Sequence, residues 1–212
     1  ASEGSRRRLP WSFRLERIQA DPGLAAAILD NLKADDSLYV RKSVANHLND
    51  ITKEHPDWVL DLIEGWSLEN RHTAWIAKHA LRSLIKQGNR RALAIIGAGG
   101  KAEVQITDVR VEPPVITLGE KITLSFAVQS TVEHGQRLVI DYAIDYVKGN
   151  GSTSAKVFKL KALTLPGKAC ERVARSQQIK ELTTRRHYAG KHAVHVMVNG
   201  ERLATTAFEI LP

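Results

Sequence analysis

The stretch "YVRKSVANHLND" (39–50) reads as one amphipathic helix. At 100° per residue Val40, Val44, Leu48 and the following Ile51 share one side, the stripe a helix must bury. Tyr39, Lys42, Asn46, Asn49 and Lys53 fall on the other side. The pattern returns in "WIAKHALRSLIK" (75–86), where Trp75 aligns with Tyr39, Lys78 with Lys42, Ala80 with Val44 and Leu84 with Leu48, each pair at an offset of 36 residues. A helix opening on proline precedes each copy. "DPGLAAAILDNLKAD" offers Asp21 as N-cap and Pro22 in the first turn, and "HPDWVLDLIEGW" repeats the device at Pro56, 34 residues on. A two-helix unit of this length in tandem predicts a HEAT-like α-solenoid. "RLPWSFRLERIQ" reads as the second helix of a preceding unit, and "NRRALAIIGAG" as a short last helix.

At "GAGGK" (97–101) the hydrophobic period changes from helical spacing to alternation. Seven alternating segments follow: "AEVQITDVRVE", "KITLSFAVQS", "QRLVIDYAIDYV", "AKVFKLKALTL", "CERVARSQQIK", "KHAVHVMVNG" and "RLATTAFEIL". Pro113-Pro114, Gly119, Gly149-Asn150-Gly151, Pro166-Gly167 and Asn199-Gly200 punctuate them, the last being a strong two-residue hairpin signal. Seven short strands in about 110 residues predict an immunoglobulin-like β-sandwich. The chain is therefore expected to be multidomain, α then β: HEAT-like helical repeats over 1–98 and the sandwich over 101–212. The helical end looks uncapped, so the chain is expected to begin inside a longer solenoid.

The 212 residues are 43% hydrophobic and 25% charged, ordinary for a packed protein, and no apolar run reaches transmembrane length. The formal charge is +8, which favours a polyanionic partner. The lone Cys170 excludes an internal disulfide, fits a reducing compartment, and is expected half-buried on a strand. His192 and His195 lie three apart on a strand and so face opposite ways, and no zinc-ligand spacing occurs; no metal is expected. "GNGSTSAK" lies between strands and is a hairpin tip rather than a phosphate loop, and no serine-triad motif is present. Asp50, Asp57, Asp61 and Glu64 are expected to serve capping and solubility.

The polar faces of the two repeated helices carry the functional expectation. Arg71, Trp75, Lys78, Arg82 and Lys86 share one face opposite Thr73, Ile76, Ala77, Ala80 and Leu84. Both helices present an aromatic followed three residues later by a lysine, a pairing suited to phosphates and sugars. The candidate DNA-binding residues are Arg6, Arg7, Arg8, Tyr39, Arg41, Lys42, Asn46, Asn49, Lys53, Arg71, Trp75, Lys78, Arg82 and Lys86, joined by Arg185 and Arg186 of a sandwich loop. No catalytic residue is assigned. The competing reading is a non-enzymatic repeat module whose groove binds an acidic protein or peptide.

At "RLPWSFRL", "YVRKSVANHLNDITKEHPD", "WIAKHALRSLIKQG" and "YAGKHAVHVMVNGERLA" the chain resembles the alkylpurine DNA glycosylases of the AlkC/AlkD superfamily. The resemblance implies a helical-repeat protein that grips duplex DNA carrying alkylated bases. It implies hydrolysis of the N-glycosidic bond of cationic bases such as 3-methyladenine, with no metal or organic cofactor. A cationic base is already a good leaving group, so its protonation is not required. Asn46 and Asn49 stand where AlkD-like members carry Trp and Arg, which points to the AlkC branch. The resemblance also implies a monomer in the bacterial cytoplasm, associated with the nucleoid. It implies further repeats, one holding the catalytic carboxylate, so these 212 residues alone are expected to bind DNA weakly and excise bases poorly.

Overall fold

The computed structural model describes residues 2–6, 15–181 and 186–212. Two compact units are present, Ala1–Gly99 and Gly100–Pro212.

The helical unit is built from short helices with well-marked ends. α1 covers Glu16–Ala20. Asp21 then caps the next element by accepting from the Gly23 N–H at 2.9 Å, but Pro22–Ala25 form a 3₁₀ turn before α2 (Ala26–Asn31) begins. α3 spans Leu38–Ile51 and α4 Pro56–Glu64, the latter opening on its proline. α5 (Arg71–Ala80) starts where Asn70 Oδ1 accepts from the His72 and Thr73 N–H groups. The sequence suggests one helix to Gly88, yet the helix is interrupted at Leu81 (φ −83°, ψ 3°) and resumes as α6 (Arg82–Lys86). Gly88 (φ 75°) closes it in a Schellman arrangement, with Asn89 N–H on the Leu84 carbonyl and Gly88 N–H on that of Ile85. α7 (Arg90–Ile95) ends the same way at Gly97 (φ 78°).

The stripes read from the sequence are buried apart from Val40, which is half-buried. Val44, Leu48 and Ile51 of α3, and Thr73, Ile76, Ala77, Ala80 and Leu84 of α5 and α6, are all buried. Three side-chain hydrogen bonds of this unit share one sequence separation. His55 Nε2 donates to the Gln19 carbonyl (2.7 Å), Trp66 Nε1 to Asp30 Oδ1 (2.7 Å) and Arg82 Nη2 to Asn46 Oδ1 (3.1 Å). Each joins residues 36 apart.

The second unit is a two-sheet sandwich of eight strands: β1 (Val104–Glu112), β2 (Val115–Ile116), β3 (Lys121–Ser130), β4 (Gln136–Val147), β5 (Thr153–Leu165), β6 (Cys170–Gln178), β7 (Gly190–Val198) and β8 (Glu201–Ile210). One sheet runs β1-β3-β6 and the other β2-β8-β7-β4-β5. β2 sits inside the segment read as two turns. It pairs parallel to β8 through two residues, too few to show a period. Ile122, Leu124, Phe126 and Val128 of β3 pack with Ile140, Ile144, Val194, Val196 and Phe208 of the other sheet. Two tyrosine hydroxyls are satisfied inside this core. Tyr142 Oη donates to Gln177 Oε1, and Gln177 Nε2 donates to Tyr146 Oη at 3.1 Å, tying β4 to β6. At the β7–β8 hairpin Asn199 (φ 47°) and Gly200 (φ 81°) take the left-handed conformations of a type I′ turn. Asn199 is buried as well: its Oδ1 accepts from the Val139 N–H at 2.8 Å and its Nδ2 reaches the Gly100 carbonyl. Cys170, expected half-buried, is exposed at the start of β6.

Candidate nucleic-acid interface

On α3 the first turn presents Leu38 and Tyr39 to solvent, Tyr39 at 77% exposure. Lys42 follows one turn later and is exposed. On α5 and α6, Arg71, Arg82 and Lys86 are exposed and Trp75 and Lys78 half-buried. Trp75 is not an open platform. The His79 ring stacks on it with centroids 3.7 Å apart, and the Arg41 guanidinium lies 5.8 Å from its centroid. The stack is locked by a His79 Nδ1–H bond to the Trp75 carbonyl at 2.8 Å.

Asn46 belongs to this face, half-buried and accepting from Arg82. Asn49 does not, which corrects its assignment as a DNA contact. It is 5% exposed, and its Nδ2 donates to the Ala80 carbonyl (2.8 Å) and Ser83 Oγ (3.0 Å). A side chain one turn from Asn46 on an ideal helix projects toward α5 because the two helices pack closely there. The amide satisfies Ala80 just where the α5 ladder breaks at Leu81.

Arg6 is likewise corrected. Its side chain is 12% exposed and committed to Glu3 (2.6 Å) and Asp50 (2.7 Å). Lys53 reaches the other oxygen of Asp50 at 2.9 Å, and Glu3 also accepts from Ser43 Oγ at 2.8 Å. Asp50, read as a capping or solubilising residue, is 7% exposed and anchors the 2–6 segment to α3. Burial opposes its ionisation, but hydrogen bonds from Lys53 and Arg6 outweigh that and hold its carboxyl below the ordinary range. Asp57, Asp61 and Glu64 surround Arg91 instead, at 3.6, 2.5 and 2.7 Å. Sequence reading missed the Asp50 cluster. At 100° per residue Asp50 falls beside Tyr39 and Asn46 on the polar face, so the periodicity carried no signal of its burial.

In the sandwich, Arg186 is exposed. Arg7, Arg8 and Arg185 lie outside the described residues. His192 and His195 do face opposite ways. His192 is fully buried, stacked on Phe208 (5.1 Å), with Nε2–H donating to the Tyr188 carbonyl and Nδ1 accepting from the Val147 N–H. Burial pushes its pKa down. His195 bonds Asp145 Oδ2 (3.0 Å) and Thr205 Oγ1 (2.9 Å). No helix among the described residues is long and apolar enough to cross a membrane.

Residues 105–212 match the family model described as the C-terminal Ig-like domain of the uncharacterised protein YhaZ. The chain is 41% identical over 210 residues to YhaZ of Bacillus subtilis (strain 168), covering 99% of this chain and 58% of that one. It is 66% identical to the alkylpurine DNA glycosylase AlkC of Pseudomonas fluorescens, solved bound to DNA containing an abasic site analogue. That match has a TM-score of 0.97 and covers 100% of this chain and 59% of AlkC. The chain thus spans about three fifths of the length of both relatives. A helical unit joined to this sandwich, with such identity over its whole length, makes the chain a member of the AlkC and YhaZ family.

Proposed function

We propose that this chain is part of an alkylpurine DNA glycosylase, and that its helical unit is a HEAT-like stack whose basic face holds duplex DNA. The full-length likeness to AlkC in a DNA complex carries this reading. Three hydrogen bonds between residues 36 apart, the offset at which Trp75 aligns with Tyr39, support the repeat stack. Tyr39, Arg41, Lys42, Asn46, Arg71, Lys78, Arg82 and Lys86 form the DNA-facing set of the helical unit, with Trp75 behind them; in the sandwich Arg186 is a candidate contact of its own. Arg6, Asn49 and Lys53 stand outside it. The reaction of the whole protein is hydrolysis of the N-glycosidic bond of cationic alkylated bases such as 3-methyladenine, acting on DNA inside the cell.

Titration of the full chain with a fluorescein-labelled duplex holding one tetrahydrofuran abasic analogue tests the reading. Binding should weaken steeply with salt, log K falling by about 0.9 per phosphate contact for each tenfold rise. Affinity for an acidic peptide with none for the duplex would instead establish a protein-interaction module.

A further inference from the structure

Arg41 and Arg82 differ from Arg6, Lys33, Lys53 and Arg91. Those four pair with carboxylates: Arg6 and Lys53 with Asp50, Lys33 with Asp30, Arg91 with three acids of α4. Arg41 and Arg82 form no ion pair among the described residues and are held by neutral groups. Arg41 Nη1 donates to the Asp35 and Asp36 carbonyls at 3.0 and 2.7 Å, its guanidinium lies by the Trp75 ring, and its buried Nε has no acceptor among the described residues. Arg82 Nη1 donates to the His79 carbonyl at 2.6 Å and Nη2 to Asn46 Oδ1. A guanidinium fixed in place without a counter-ion carries an undischarged field, and an anion completes it. Burial, aided by repulsion from Arg6 and opposed by Asp50, lowers the Arg82 pKa, as expected of a cation short of negative charge.

The two are linked. His79, whose carbonyl holds Arg82, stacks on the Trp75 ring beside Arg41. Asn46, the other anchor of Arg82, lies on the same helix as Arg41. Each guanidinium keeps donors beyond its protein partners, Nη2 on Arg41 and Nε on Arg82, that a phosphate oxygen can accept from. We propose that Arg41 and Arg82 form a preorganised clamp for two backbone phosphates, with Asn46 and Trp75 as positioning residues.

The clamp rests on the DNA-binding reading of this face, and the same duplex titration tests both separately. Arg41→Ala and Arg82→Ala should each lower the salt slope by about 0.9 and weaken binding about eightfold at 0.1 M salt, the arithmetic of one lost contact. Arg82→Lys keeps charge but not the fork, so affinity should fall while the slope stays. Asn46→Ala should behave like Arg82→Lys. Asn46→Asp hands Arg82 a carboxylate and should reduce the slope as Arg82→Ala does. Lys33→Gln, which removes an already neutralised charge outside the face, should change neither quantity. Thermal melting checks that each variant is folded. A parent chain that ignores duplex DNA overturns the functional reading and the clamp with it. A parent that binds, with Arg41→Ala and Arg82→Ala keeping its slope, overturns the clamp alone. Restoration of parental binding by Asn46→Asp would reduce Asn46 to a structural role.

Discussion

Asn49 shows how one turn of helix separates a binding residue from a structural one. Asn46 sits on the exposed side of α3 and meets Arg82, while Asn49 is buried against Ala80 and Ser83. Asn49→Ala leaves the Ala80 carbonyl without its donor, and a stability loss of about 1–3 kcal/mol is expected in urea denaturation. Asp50→Asn leaves Arg6 with Glu3 as its one carboxylate; there we expect a loss of about 1.5–3 kcal/mol in urea denaturation, the range for a hydrogen bond to a charged group. The linked pH dependence has a defined sign. The folded Asp50 carboxyl titrates below its unfolded value, so its contribution is whole above about pH 4 and disappears as pH falls through the folded value. Among residues, apolar identity and spacing were legible; partners were not, since Arg6 and Asp50 lie 44 positions apart.

Single elements were legible where their ends are chemically marked. Asn70, Asn89 and Pro56 start helices, and Gly88 and Gly97 stop them in left-handed conformations. Gly88→Ala should cost about 1–2 kcal/mol, measured as a lowered urea midpoint, because a Cβ opposes its φ of 75°. The break at Leu81 was hidden, because leucine favours helix and the local pattern is unbroken through it. β2 was hidden for the opposite reason: its pairing with β8 is supplied by a strand almost a hundred residues away. His192 governs the start of β7. Its neutral ring accepts from Val147, and a proton on Nδ1 would set two donors face to face. Its folded pKa lies below the unfolded one, so the unfolded chain takes up the proton first, below about pH 6.5. Sandwich stability should be full above that pH and fall as pH drops through the folded value; His192→Gln should flatten this fall in thermal melts between pH 7 and 5.

For the whole molecule, the two units have separate cores. The sandwich core is drawn from residues between Ala102 and Ile210, and Asn199 closes it by holding Gly100 and Val139. The segment Gly100–Pro212 made alone should give a dispersed amide NMR spectrum; a collapsed spectrum would show that its core is incomplete. The sequence by itself determined the change of period, the buried stripes, the offset of 36 and most helix ends, because these follow from local chemistry and a fixed rise per residue. Tertiary structure decided which cations are discharged by carboxylates and which are not. It buried Asn49, drew Asp50 to Arg6 and Lys53, and left Arg41 and Arg82 on neutral acceptors. Charge can be counted along a chain, but its neutralisation depends on distances of about 3 Å between residues that only folding brings together.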